Sequence, residues 1–456
     1  MDMIENARSG IHAAQVALNV ASQNVANEKT PGYSRRDIVL ATPWSEASSY
    51  VSPGVNVVSV RRINDDYKNR FMWDAHAQQG QFSSAHPYFE QLERVIGGYD
   101  SSVSFGLDNF FMALDDVSQD VASRPLREQV IQKAHELAQC VNDASQVLTS
   151  QLTALDEVRR QSVEHVNAIS KHIANLNTKI VRAQCLHEND VASLQDERDR
   201  HIDQLASLLK INVIAQQNGS KTVTLNNGLP LVTGDMASLL AIQSHNVESV
   251  ITLQLGKEVL SLTGYDLGGQ LGGINHYEHR IARPMRDSIM TLAYELATRV
   301  NQQLAMGFDL NGAPGKALFV LDPSGSSETP LQVTDRAAEA LGFSRRATEP
   351  GNDANLLAIA AIKTQTVMIP GMGETKIDDV YGQLIGRLAA QSQQNNSALQ
   401  AARHVRDEAE KSWKVTSGVD RDDEAAHFID YLQMCQANMR VVAVARQLFD
   451  SMLAIV

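Results

Sequence analysis

The chain has 456 residues, with 40 Lys plus Arg against 53 Asp plus Glu and a net charge of −13, and its length allows two or three domains with cores of their own. No basic arm or cluster suited to a phosphate backbone is present, which argues against nucleic acid as a partner. The apolar runs fall short of the roughly 18 residues that a membrane-spanning helix needs, so a soluble chain without membrane insertion is expected.

The start, Met1-Asp2-Met3-Ile4-Glu5, lacks the charged and unbroken apolar regions of a cleavable secretory signal, which leaves open export by a route that does not cut the N-terminus. Ile4, Ala7, Ile11, Ala14, Leu18, Ala21 and Val25 then alternate at spacings of three and four, which draws one narrow apolar seam along a helix. That helix is expected to end near Asn27, because Thr30-Pro31-Gly32 stops a helix and opens a turn. Loose alternation to about residue 62 predicts extended chain with one or two short strands. Helical periodicity returns after Asp65 and persists over 126–183, where Leu137, Val141, Ala144, Leu148, Leu155, Val166, Ile169, Ile173, Leu176 and Ile180 keep a seven-residue frame. At about 1.5 Å per residue such a helix implies an elongated molecule.

A further helix over 192–209 precedes β signals at 211–214 and 222–225, a hairpin turn at Asn226-Asn227-Gly228, and a returning strand at 231–233. More strands are expected at 250–255 and 259–262, a helix over 274–306, a Gly/Pro/Ser-rich loop over 307–352, and helices from about 378 to the end. There Phe428, Tyr431, Cys435, Val442, Ala445, Phe449, Met452 and Val456 form a second seam, broken by Asn438. Neither terminal helix can bury its stripe alone, and an isolated helix of about 25 residues is marginal in water. The fold class expected is therefore mainly α with a small β-containing portion: elongated, nested layers of long helices, with terminal coiled-coil helices either paired or disordered in the monomer. Residues 1–62 and 415–456 form the terminal assembly layer, 63–210 and 274–414 the long-helix layer, and 211–273 a small β-rich insert.

Nothing in the chain supports catalysis or metal binding. His276 and His279 stand at helical spacing without further ligands, whereas zinc needs three or four. Asp196-Glu197-Arg198-Asp199 with His201 reads as a charged outer helix face or an interhelical ion pair. Gly268-Gly269-Gln270-Leu271-Gly272-Gly273 lacks the Lys-Ser/Thr of a phosphate loop, and Asp309-Leu310-Asn311-Gly312 reads as a β-turn without the Glu of a calcium loop. Cys140, Cys185 and Cys435 are too few and too scattered for a disulfide framework, and read as small apolar residues on helix faces. No catalytic residue, cofactor or metal is expected.

Four segments nevertheless carry a resemblance. Ser9-Gly10-Ile11-His12-Ala13-Ala14-Gln15, Ala21 to Asn27 and Thr30-Pro31-Gly32-Tyr33-Ser34-Arg35 look like the N-terminal signature of the bacterial flagellar axial proteins, with Asn27, Thr30, Pro31, Gly32 and Tyr33 at its turn. Residues 194–199 are similar to an acidic segment of that family's hook–filament junction subunits, with Glu197 in place of Gln. Leu271-Gly272-Gly273-Ile274, followed by Gly307-Phe308-Asp309 and Phe319, resembles their middle portion, and Ser417-Gly418-Val419-Asp420 with the terminal run resembles their C-terminus. Only about 40 residues separate Phe319 from the next helical stretch, where larger members carry outer β domains. The resemblance implies a non-enzymatic flagellar subunit, exported through the type III route and lodged at the hook–filament junction. It implies self-association in a ring through the two seams, contacts with the hook subunit and the second hook-associated junction protein, and a cytoplasmic export chaperone on the C-terminal helix. A secreted coiled-coil effector or translocator of a type III system is the alternative.

Overall fold

The computed structural model describes residues 2–42, 54–98, 102–186, 191–245, 248–262, 267–321, 330–335 and 337–453. In chain order its elements are α1 (Asp2–Asn27), β1 (Arg36–Ala41), β2 (Asn56–Arg62), α2 (Asp66–Ile96), α3 (Val103–Val117), α4 (Arg124–Cys185) and α5 (Val191–Leu208). Seven strands follow: β3 (Ile211–Ala215), β4 (Lys221–Leu225), β5 (Pro230–Thr233), β6 (Met236–Ala237), β7 (Leu239–His245), β8 (Glu248–Leu255) and β9 (Glu258–Leu262). The rest are α6 (Gly269–Tyr277), a π-helical turn (Glu278–Ala282), α7 (Arg283–Ala305), β10 (Phe319–Leu321), β11 (Leu331–Val333), α8 (Ala354–Ala360), β12 (Thr366–Ile369), β13 (Gly373–Lys376), α9 (Ile377–Ser417) and α10 (Arg421–Leu453). The fold is mainly α with small antiparallel sheets.

Two compact units share the chain. The first comprises Met1–Gly80, Val163–Gly269 and Ala401–Val456. Here α1 and α10 run antiparallel, as shown by Gly10 against Asn438 and Glu28 paired with Arg421. Beside α1 lies the hairpin β1–β2, in register from Arg36↔Arg62 to Ala41↔Asn56 with one irregularity that leaves Val58 unmatched. The sheets β3-β4-β5-β6 and β7-β8-β9 complete the unit. The frame read from the sequence holds along α4: Val166, Ile169, Ile173, Leu176 and Ile180 are all buried.

The second unit comprises Gln81–Ser162 and Gln270–Gln400. Its core joins Phe89, Phe110, Leu137, Leu148, Leu155, Tyr277, Leu292, Phe343 and Leu356. Arg127 is fully buried, donating from Nε to the Val121 carbonyl at 2.7 Å and from Nη1 to the Leu341 carbonyl at 2.8 Å, and lying over the Phe343 ring. Burial lowers its pKa to about 10. The long helix expected over 274–306 spans Gly269–Ala305, but it is interrupted by the π-helical turn just before Pro284. Proline lacks the N–H and crowds the carbonyl four residues back, so a local change of helical register relieves both. The turn at Asp309 is as expected: its Oδ1 accepts from the amides of Asn311 and Ala313 at 2.8 Å, and Gly312 has φ +75.

Short strands β10–β13 and β7 escaped the sequence reading, because pairs of three to seven residues give little periodicity. One device ties such strands to helices in both units. A helical Asn side chain takes the place of a partner strand, accepting a strand N–H and donating to a strand carbonyl. Asn167 clasps Leu240, Asn177 clasps Lys221, Asn142 clasps Leu331 and Asn301 clasps Phe319. Each clasp satisfies two backbone groups that a short strand leaves unpaired.

Candidate assembly interface

The α1–α10 pair is built on small side chains. Along α1 the buried stripe is Ala7, Gly10, Ala13, Ala14, Ala17, Val20, Ala21 and Asn24. Of the residues in the first predicted seam, Ala7, Ala14 and Ala21 lie in this stripe, Ile11 and Leu18 are half-buried, and Ile4 and Val25 are exposed. The helix is thus rotated so that Gly10, Ala17 and Asn24 replace the larger side chains at the contact. Smaller residues allow closer approach, and a Cβ at Gly10 would lie 2.7 Å from the Asn438 amide. The polar break in the second seam therefore sits against a glycine, its Nδ2 donating to the Met434 carbonyl at 2.9 Å.

On α10, Cys435 and Ala445 of the predicted seam are buried, Tyr431 and Val442 are half-buried, and Phe428, Phe449 and Met452 are exposed. Val456 lies outside the described residues. The only other buried residue on this helix is Glu424. At about 100° per residue, Phe428, Leu432 and Met439 form one strip, with Val441, Val444 and Leu448 nearly opposite, and all six are exposed. A helix with apolar strips on opposite sides belongs inside a larger packing arrangement. The two helices here cover one of its sides.

The turn after α1 locks the pair to the rest of the unit. Asn27 Oδ1 accepts from Thr30 Oγ1 at 3.2 Å, the Tyr33 amide donates to the Thr30 carbonyl at 3.2 Å, and Gly32 takes φ +79 at the reversal that Pro31 opens. Tyr33 is buried, and its hydroxyl donates to Asn24 Oδ1 at 2.8 Å. Asn24 repeats the clasp seen elsewhere, accepting from the Arg36 amide at 3.0 Å and donating to the Arg36 carbonyl at 2.9 Å. One residue earlier, the Arg35 amide donates to the Ser417 carbonyl at 2.7 Å, tying this segment to the end of α9.

Below the turn, α5 corrects the outer-face reading of residues 196–199. Asp196, Arg198 and Asp199 are buried; the two carboxylates find their partners on strands, while Arg198 donates to Asn177 of α4 at 3.3 Å and to the Gly219 carbonyl at 2.7 Å. Arg62 of β2 reaches Asp196 and Asp199, each at 2.7 Å, Lys221 of β4 reaches Asp199 at 2.8 Å, and Arg36 of β1 donates to Ser193 at 2.9 Å. Burial alone would raise the pKa of Asp199, but Lys221, Arg62 and Arg198 outweigh it and hold the carboxyl far below the usual range. Asp196 goes the other way: burial dominates its two arginine neighbours and pushes its pKa up. Of this network the sequence reading placed only the α5 residues on one element; Arg36, Arg62 and Lys221 went unremarked, and Asn24 stood only within the N-terminal signature. Asn24 could have been found, since it continues the Gly10 and Ala17 spacing with a polar side chain at a buried position.

Two depressions flank the turn. One, about 1080 Å³, lies between α1, β2 and the start of α5; the other, about 720 Å³, is walled by Trp73, Trp413 and the His76–Asp203 pair. Among the described residues no group of three or more metal-ligating side chains is found, and no helix is long and apolar enough to cross a membrane. Cys435 is buried, Cys140 half-buried and Cys185 exposed, so the third departs from the packing role expected of all three.

The family model for the flagellar hook-associated protein FlgK helical domain matches residues 89–319, and that for the flagella basal body rod protein matches residues 4–33. The chain belongs to the FlgK family. Flagellar hook-associated protein 1 of Escherichia coli (strain K12) is 26% identical over 333 residues, which cover 70% of this chain and 60% of that protein. The Salmonella typhimurium relative of the same name is 27% identical over 59% of its length. The chain thus spans about 60% of these relatives, whereas that of Bacillus subtilis (strain 168), 24% identical, aligns over 99% of this chain and 97% of its own. The flagellar hook junction protein FlgK from Burkholderia pseudomallei shares the fold, with a TM-score of 0.66 at 16% identity over 75% of this chain and 99% of its own.

Proposed function

We propose that the chain is a structural, non-catalytic subunit of the bacterial flagellum at the hook–filament junction. It assembles as a ring through α1 and α10, after type III export from the cytoplasm to the outside of the cell. The observation that carries this reading is α10, which is apolar on opposite sides yet covered only along its contact with α1. Family membership supplies the setting, and the exposed strips supply the means. Copies packed side by side bury them, at roughly 25 cal/mol per Å² before the cost of ordering. Hook subunits on one side and the second hook-associated junction protein on the other are the axial partners. In the cytoplasm an export chaperone covers the same α10 strips. Deletion of α10, followed by imaging of cells, tests the role. Hooks without filaments, with filament subunit lost to the medium, are expected; normal filaments overturn it.

A further inference from the structure

The groove between α1, β2 and α5 has an unusual wall. Four successive residues of β2, Val57, Val58, Ser59 and Val60, line it, and of β1 only Arg36 does. The irregularity at Val58 interrupts the alternation of side chains here, and among the described residues β2 is hydrogen-bonded to β1 alone, so its other backbone edge is unpaired and runs beside the groove. Apart from the irregularity at Val58, that edge carries no proline and no charge over four residues. It is also held rigid. Asn24 clasps Arg36 at the base, and Ser9 Oγ accepts from the Val55 amide at 3.1 Å at the far end.

A second bare edge stands elsewhere in the same unit. Among the described residues strand β9 is hydrogen-bonded to β8 alone, and its Val259 is nearly as exposed as Val58. We infer that β9 of a second copy adds to β2 in this groove, extending the hairpin by one antiparallel strand. The charges select the partner and its register. With Glu258 opposite Arg61, Val259 falls opposite Val60 and Ser261 opposite Val58, which pairs opposite charge with opposite charge and valine with valine. Arg61 has charge to offer, being 64% exposed and only loosely paired with Asp37 at 3.9 Å. Because β2 and β9 are different patches of one surface, the contact is head-to-tail, and such contacts propagate into rings or helices. The inference rests on the assembly reading above for the presence of neighbouring copies, and it adds a backbone-mediated contact to the one made by α10.

Cross-linking between full-length chains tests it, with Cys185→Ser removing the exposed native thiol. Chains carrying Val60→Cys are mixed with chains carrying Val259→Cys under mild oxidation, and Val58→Cys with Ser261→Cys is the second pair. Mixed disulfide dimers at least tenfold above either chain alone are expected, with loss on adding Arg61→Glu and recovery when Glu258→Arg is placed in the partner. Dimers no more abundant in the mixture than in the single chains overturn the strand pairing, as do Val60→Cys dimers formed without the partner. Sedimentation of the same samples separates the two readings: association without the mixed cross-link retires the strand contact and leaves the α10 contact standing.

Discussion

Asn24→Ala is the sharpest perturbation of the first unit. Asn24 is 1% exposed and makes three hydrogen bonds of 2.8, 3.0 and 2.9 Å, to the Tyr33 hydroxyl and to the Arg36 amide and carbonyl. Each contributes roughly 0.5–1.5 kcal/mol net, and each partner stranded in a buried site costs about 1–3 kcal/mol. A polar cavity of about 190 Å³ borders Asn24 and Arg36 and has room for water to recover part of the loss. The expected destabilisation is about 2–4 kcal/mol. Trp73 and Trp413 both belong to this unit, so urea unfolding followed by tryptophan fluorescence reads it. Asn24→Asp keeps the acceptor for Tyr33 and the Arg36 amide but loses the donor and buries a carboxylate against the Arg36 carbonyl, so near neutral pH it is expected to cost at least as much as Asn24→Ala. A change for Asn24→Ala below about 0.5 kcal/mol, the range of an ordinary surface substitution, refutes the clasp as the anchor of the turn.

Two neighbouring carboxylates on α5 are expected to behave oppositely. Asp199→Asn takes the carboxylate from buried Lys221 and leaves Arg62 with Asp196 alone, and is expected to cost about 3–5 kcal/mol, whereas Asp196→Asn, which removes a poorly solvated charge and leaves Arg62 paired with Asp199, is expected to change stability by no more than about 1 kcal/mol. The pH dependence has matching signs. Because the folded pKa of Asp199 is depressed, its stabilisation is present above an unfolded value of about 3.9 and is lost as pH falls towards the folded one; the raised Asp196 opposes folding at neutral pH and is relieved on acidification. Unfolding free energies from pH 3 to 7 check this, and acid limbs of the same slope for wild type and Asp199→Asn count against it. Gly10→Ala is expected to loosen the α1–α10 pair by about 1–3 kcal/mol, and Asn438→Ala to restore it, because the added Cβ meets the Asn438 amide. A double-mutant cycle with no coupling refutes that contact.

Much of the helical layout was legible because long amphipathic segments repeat their signal many times. The frame of α4 and the end of α1 at Asn27 follow from apolar spacing and from Thr30-Pro31-Gly32, while the pairing of the termini is one of the two states that the seams allowed. The rotation of α1 was not legible. A heptad count ranks Ile11 and Leu18 above Gly10 and Ala17, but helices that approach closely select against bulk, and only a three-dimensional partner reveals this. The buried charges at Asp196 and Asp199 were misplaced for a related reason. Polarity read along one helix says nothing of Arg62 and Lys221, which lie 137 and 22 residues from Asp199 in sequence. The asparagine clasps leave almost no local trace, since an Asn on a helix is ordinary until the strand it serves is known.

If α10 is a buried element of an assembly, left partly bare in a single chain, its exposed strips are covered in the flagellum. Thiol labelling at Phe428→Cys, Met439→Cys and Leu448→Cys, compared between dilute purified protein and flagella on intact cells, addresses it directly. Rapid labelling of all three in the free chain and protection of all three in the flagellum are expected. Equal labelling in the two states contradicts it.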